Sequence, residues 1–199
     1  MICSSEWENI TSTLNVTDIT VFNDEIYATT NGGLIIVDDN KSYQQLNFDD
    51  GIYPVDLNSI YIDSDKNIFL GSNGPIPSIQ FLDGNHNNIN TIYLDGISGI
   101  TKIVQIIDFN DRVYAIASGP ELDRLIEFRF DINNNLYYQN VINNFPIQNI
   151  SSIYEINKTD DGLNLYIVTN KGVVKGEGVN SEVEWSVYSQ VDLGKSFFI

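Results

Sequence analysis

The chain has 199 residues, with ten Lys and Arg against 27 Asp and Glu and a formal net charge of −17. That length suits one domain, or part of a repeat domain, and can bury a substantial core. A hydrophobic fraction of 42% with 12% aromatics excludes a disordered acidic tail; no apolar run nears the roughly 18 residues of a spanning helix, and ten scattered cations offer no basic face to nucleic-acid phosphates.

Taken in chain order, the first feature is Cys3, the only cysteine. It excludes an internal disulfide and any paired-cysteine zinc or redox site. Set between Met1-Ile2 and Ser4-Ser5, it reads as an incidental terminal residue, or alternatively as the processing site of an export signal and lipid anchor. Trp7-Glu8-Asn9-Ile10-Thr11 reads as the last strand of a unit that flanks the first complete one.

Four copies of one unit follow, each an apolar strand, a polar turn, a strand carrying an aromatic and a small polar turn. Asp18 to Phe22 leads through Asn23-Asp24 to Tyr27 and Asn31-Gly32-Gly33. Ser59 to Ile62 leads through Asp63 to Asn67, then Phe69 and Asn73-Gly74. Ile106 to Phe109 leads through Asn110-Asp111 to Tyr114 and Ser118-Gly119, and Ile153 to Ile156 leads to Tyr166 and Asn170-Lys171-Gly172. The anchors Tyr27, Phe69, Tyr114 and Tyr166 stand 42, 45 and 52 residues apart. Each unit continues into a third strand (Leu34–Val37, Ser78–Phe81, Leu125–Phe128, Val173–Val174). A fourth follows (Tyr43–Phe48, Thr91–Leu94, Leu136–Val141, Trp185–Tyr188).

Four short strands per 40 to 50 residues, rich in β-branched and aromatic side chains with Gly and Asn turns, predict an all-β chain, a β-propeller of about four four-stranded blades. The units run roughly 16–50, 51–95, 96–146 and 147–192, with 1–15 holding the outer strand of a flanking blade. Phe197-Phe198-Ile199, in 193–199, reads as the start of a next blade. It either pairs with the Trp7 strand to close a small ring or belongs to a larger propeller; the larger propeller is the favoured expectation, with further blades of the same chain or a second copy as partners.

The second unit carries Asp50-Gly51-Ile52, Asn58-Ser59-Ile60, Asp63-Ser64-Asp65-Lys66-Asn67 and Leu70-Gly71-Ser72-Asn73-Gly74. In these it resembles the bacterial two-component-regulator propeller repeat. The first unit, with Trp7, Val16 to Ile19 and Tyr27 to Leu34, is similar to the N-terminal propeller of PorZ-like surface proteins of type IX secretion. Phe69 stands where the repeat usually has Trp, Ser118 where it has Asn, and the turn at Thr159 to Gly162 is longer. The resemblance implies an extracytoplasmic recognition module (periplasmic, on the outer-membrane surface or secreted) and carries over no catalytic residue.

The chemistry-bearing motifs are sparse. Asp63-Ser64-Asp65-Lys66-Asn67 starts like a calcium loop, but Ile68 and Gly74 replace its glycine and closing glutamate. It reads as a hairpin turn, as do Asp49-Asp50-Gly51 and Asp160-Asp161-Gly162. No cofactor is expected, although so many carboxylates leave room for a calcium ion between loops. His86 is the only histidine, which excludes a multi-histidine metal centre. Asp18, Asn58 and Lys102 lie near the starts of innermost strands. They read first as solvated strand ends; alternatively they are candidates for a metal-assisted lyase or lactonase at the central channel, which needs at least three converging carboxylate, amide or histidine ligands around a metal.

In a blade of this strand order, the loops between second and third strands share one face with the loops between blades. That face holds Asn31, Asp49, Asp50, Tyr53, Asn73, Asp95, Glu121, Asp123 and Arg124, with Pro75, Pro77 and Phe145. It is expected to be acidic with exposed aromatics, and to bind a protein or a polysaccharide without catalysis. An apolar rather than polar lining on that face would count against this reading.

Overall fold

The structure, a computed structural model, describes residues 13–179 and 182–190. The flanking strands expected at Trp7 and at Phe197, and Cys3, lie outside the described residues. Among the described residues sixteen strands form four antiparallel four-stranded sheets, each built from four consecutive strands. The first sheet is β1 (Val16–Phe22), β2 (Glu25–Thr30), β3 (Gly33–Val37) and β4 (Tyr43–Leu46). The second is β5 (Leu57–Ile62), β6 (Ile68–Ser72), β7 (Ser78–Leu82) and β8 (Asn88–Tyr93). The third is β9 (Lys102–Phe109), β10 (Arg112–Ser118), β11 (Arg124–Phe130) and β12 (Leu136–Ile142), and the fourth β13 (Ile153–Lys158), β14 (Asn164–Thr169), β15 (Gly172–Val179) and β16 (Glu182–Gln190). We call these sheets blades 1 to 4.

Local chemistry closes the hairpins. Asn23-Asp24 and Asn110-Asp111 all have φ between +49° and +64°, the conformation that two-residue hairpin turns require and that Asn and Asp tolerate. A second device recurs at longer turns. The carboxylates of Asp63, Asp83 and Asp131 each accept main-chain N–H bonds from residues two and four ahead. The residue between, Lys66, His86 or Asn134, is left-handed. The strand expected to run to Phe48 ends at Leu46, because Asn47 caps a 3-10 turn over Phe48–Asp50. The Asn47 side chain accepts from Asp49 N at 2.8 Å, and Asp50 accepts from Asn47 N at 3.0 Å.

Alternation along each strand sends side chains to both faces of its sheet, so blades 2 and 3 each pack on two neighbours. Tyr27, Leu34 and Ile36 of blade 1 meet Leu57, Ile60, Ile68 and Leu70 of blade 2. Phe69, Ile79 and Phe81 meet Ile103, Ile106, Val113 and Ala115. Tyr114, Ile116 and Leu125 meet Ile153, Ile156, Leu165 and Ile167. The repeated aromatic thus lies on the outgoing face that each blade turns to the next. Tyr27, Phe69 and Tyr114 are fully buried there, each worth about 1.5–3 kcal/mol relative to exposure. Tyr166 occupies the same place in blade 4 but is only half-buried, since among the described residues no sheet lies beyond it. The innermost strands touch in the order β1, β5, β9, β13.

Candidate functional site

The interblade loops gather at one end of the blades, and there they form a cleft of about 410 Å³. Its walls are Tyr53 and Pro54 from the β4–β5 loop, Asn73 to Ile76 from the β6–β7 loop, and Tyr93 and Asp95 beyond β8. Tyr53, Ile76 and Tyr93 are all about half exposed. Tyr53 is held firmly: fully buried Gln80 accepts from Tyr53 N at 2.8 Å and donates to Pro54 O at 2.9 Å. Phe48 packs edge-to-face on the Tyr53 ring, with centroids 5.6 Å apart. Partial burial, and then nearby Tyr53, raise the Tyr93 phenol pKa, so it is a hydrogen-bond donor at neutral pH. The lining is more apolar than the acidic face expected from loop composition. Aromatic and proline residues far apart in the chain converge here, with Asn73 and Asp95 as the polar exceptions.

The nine expected site residues do not form one site. Tyr53, Asn73 and Asp95 share the cleft. Asn73 is partly committed, its side chain donating to Asp56 at 3.1 Å. Asp123 and Arg124 line a smaller concavity of about 140 Å³ with Phe145 and Ile147. Asp123 is a strut rather than a free ligand, accepting from the Ser118 hydroxyl at 2.6 Å and from Ile153 N of blade 4 at 2.9 Å. Asp49 and Asp50 sit on the 3-10 turn, where Asp50 caps Asn47. Asn31 and Glu121 are exposed and line neither concavity.

Two of the channel candidates are also corrected. Each innermost strand carries a β-bulge near its start, at Thr17, Asn58, Val104 and Tyr154. Bulges re-aim side chains, and the first two aim at the next blade. Thr17 donates to Leu57 O at 2.9 Å and Asn58 to Ile103 O at 2.7 Å. The residue after the bulge repeats the reach, Asp18 accepting from Ile60 N at 3.0 Å and Ser59 donating to Ile103 O at 3.0 Å. Asp18 and Asn58 are therefore interblade straps, while Lys102 is exposed and pairs through its backbone with Asn73.

A polar cluster missed in the sequence links three successive innermost strands. Tyr61 of β5 donates to Asp108 of β9, and Lys158 of β13 pairs with the same carboxylate while standing 3.1 Å from the Tyr61 hydroxyl. Burial, and then the Asp108 hydrogen bond, raise the Tyr61 phenol pKa, so it stays protonated and cannot serve as a base near neutrality. The only usable signal was that all three lie near the far ends of corresponding strands. Among the described residues no group of three His, Cys, Asp or Glu side chains converges to hold a metal.

Neither a protein-family model nor a curated protein sequence matches the chain. Solved structures do. An extracellular domain assigned to a one-component system of B. thetaiotaomicron aligns over 92% of this chain and 23% of its own, with TM-score 0.59 and 14% identity. An extracellular domain assigned to a hybrid two-component system of the same organism aligns over 86% and 23%, with TM-score 0.58 and 18% identity. A streptogramin B lyase aligns over 89% and 57%, with TM-score 0.59 and 14% identity.

The chain folds as β-propeller blades. It spans about a quarter of the length of the two extracellular domains. At these identities the likeness concerns the fold, and function has to be argued from the site. Among the described residues of the propeller no helix is long and apolar enough to cross a membrane.

Proposed function

We propose that the propeller is a non-enzymatic extracytoplasmic recognition or scaffold module that binds a protein or a polysaccharide through the Tyr53–Tyr93 cleft. The observation that carries this is the pair of exposed tyrosines, one of them braced by buried Gln80. Rigid aromatic faces on a stiff scaffold offer stacking area at little entropic cost. They suit the apolar face of a sugar ring or a proline-rich or aliphatic peptide, while Asp95 and Asn73 offer polar partners to hydroxyl or amide groups. The net charge of −17 disfavours polyanionic ligands.

The extracytoplasmic setting, in the periplasm, on the outer-membrane surface or secreted, is supported by two solved propellers of like fold that are extracellular domains of regulatory systems. It is supported too by the repeat grammar of the second unit. Membership of the two-component-regulator propeller repeat, and the finer likeness of the first unit to PorZ-like type IX secretion proteins, belong to the same proposal.

The test is a panel of immobilised neutral glycans and peptides, followed by calorimetry on the hits. Tyr53→Ala and Tyr93→Ala are each expected to weaken binding about tenfold or more. Absence of any ligand, or a ligand indifferent to both substitutions, overturns the cleft as the binding surface.

A further inference from the structure

We propose that the binding surface is longer than the Tyr53–Tyr93 cleft, and that it takes an extended peptide whose free C-terminal carboxylate docks on Arg124. This rests on the cleft reading and names its ligand. Four concavities share walls along the end of the blades where the interblade loops gather. The cleft shares Tyr93 and Asp95 with a concavity of about 160 Å³ that reaches Tyr138 of β12. That one shares Ile97 and Tyr138 with a further concavity of about 280 Å³. Arg124 and Asn143 lead from there into the concavity of about 140 Å³ between blades 3 and 4. Every lining residue lies between Tyr53 and Ile153 in the chain, so the exposed faces of blades 1 and 4 take no part.

The chemistry at the Arg124 end selects the occupant. In a chain with 27 Asp and Glu, Arg124 makes no ion pair among the described residues, whereas Arg112 and Arg129 both pair with Glu127. Asp123, which lines the same concavity, has one carboxylate oxygen on the Ser118 hydroxyl and the other on Ile153 N. A guanidinium in a groove holds a carboxylate through two parallel hydrogen bonds. Buried Leu125, Ile142, Ile147 and Ile153 line this concavity together with Phe145, which Trp185 braces edge-to-face at 5.6 Å between centroids. Its volume is close to the roughly 150 Å³ of an apolar cavity that admits a benzene ring, so one branched or aromatic side chain fits. A carboxylate beside one apolar side chain is the last residue of a peptide. An acidic polysaccharide would repeat its charge along the groove against a net charge of −17, whereas a peptide terminus carries its charge once.

The rest of the groove suits the preceding residues of such a peptide. Tyr138, Tyr93 and Tyr53 are each partly exposed along it, and fully buried Phe128 braces Tyr138 with centroids 6.4 Å apart. Tyrosine and arginine are the side chains that interfaces most often use as anchors. Apolar and proline side chains would cover the three rings, and Asp95 offers a partner to a basic one.

The test titrates the chain by calorimetry with synthetic peptides ending in Leu, Ile, Val or Phe, each as the free acid and as the C-terminal amide. Neutral glycans and a uronic-acid oligosaccharide are run beside them. Free acids are expected to bind, and their amides at least about tenfold more weakly. Arg124→Gln should abolish that difference, while Tyr53→Ala and Tyr93→Ala weaken both forms alike. Arg124 is partly exposed, and circular dichroism checks that the variant keeps its β signal; the comparison of acid with amide on the wild type needs no variant. Equal binding of acid and amide overturns the proposal, as does capture of the uronic-acid chain through Arg124 with no peptide bound. Neutral glycans that bind through Tyr53 and Tyr93, again with no peptide bound, overturn it too but leave the cleft standing. If no ligand of any kind responds to either tyrosine substitution, the cleft reading fails as well.

Discussion

Gln105 of β9 holds Ile156 of β13 by both main-chain groups, donating to its carbonyl at 2.8 Å and accepting from its N–H at 2.9 Å. Adjacent innermost strands are not paired in a sheet with one another, so these groups would otherwise depend on solvent. A side-chain amide carries both a donor and an acceptor and satisfies the pair at once. Gln105→Ala is expected to destabilise the chain by about 1–3 kcal/mol, because two partly buried main-chain groups lose their partner. Urea unfolding of wild type and variant measures it, and an unchanged midpoint would show that water replaces the strap without loss.

Gly71 of blade 2 stands against Ile103 of blade 3. A Cβ there would lie 2.6 Å from Ile103 Cβ and closer still to the Ser59 hydroxyl. Both neighbours are fully buried, so neither has room to move. Gly71→Ala is expected to cost about 1–3 kcal/mol through overpacking. The same denaturation experiment reads it, and a neutral effect would mean that the two blades can slide apart.

Arg112 and Glu127 carry opposite charges inside the contact between blades 3 and 4. Their side chains are only 5% and 4% exposed, with Arg112 Nε 3.4 Å from Glu127 Oε1. Arg129 also reaches Glu127, at 2.8 Å, and Arg112 reaches Glu182 of blade 4 at 2.8 Å. Glu127→Leu removes the buried counter-charge from Arg112 and is expected to destabilise by about 3–5 kcal/mol. The double variant Arg112→Met/Glu127→Leu should recover much of that loss. If the double variant is no better than the single, desolvation of the cation is not the cause.

His86 packs edge-to-face on Tyr27, at 6.3 Å between ring centroids, with Glu25, Lys66 and Asp83 as its charged neighbours. Burial first, and then Lys66, lower its pKa below the ordinary 6.5. The unfolded chain therefore takes up a proton before the folded one does, and stability falls as pH drops below 6.5 through this window. Glu25 and Asp83 are themselves lowered from carboxylate values near 4, Glu25 chiefly by the Tyr27 hydrogen bond and Asp83 by Asn87, so their titration lies in a more acid range. His86→Asn, which tolerates the left-handed φ of +68°, should flatten the dependence of the melting temperature on pH between about 5 and 7. An equal slope in both proteins would assign the effect elsewhere.

The Asp63 turn and the two Asn-Asp hairpins were legible residue by residue, since the first is closed by its own carboxylate and the others by left-handed Asn and Asp backbone. The anchors Tyr27, Phe69 and Tyr114 were legible through their repetition. The cleft was only half legible: its loops could be assigned to one face, but not the meeting of Tyr53 with Tyr93, whose separation along the chain exceeds any local pattern. Asp18 and Asn58 were misplaced for a related reason. A bulge turns the strand by one residue, and whether a polar side chain then meets the channel or the next blade depends on how two sheets are stacked.

Periodicity alone determined the architecture here, because strands of alternating character with Gly and Asn turns have few ways to bury both faces, and stacking sheets of one kind is the economical one. Tertiary structure alone decided which side of each blade carries the aromatic and which polar residues are consumed in straps. Those outcomes depend on distances between groups some 40 or more residues apart, set by packing between sheets and not by any preference written along a single strand.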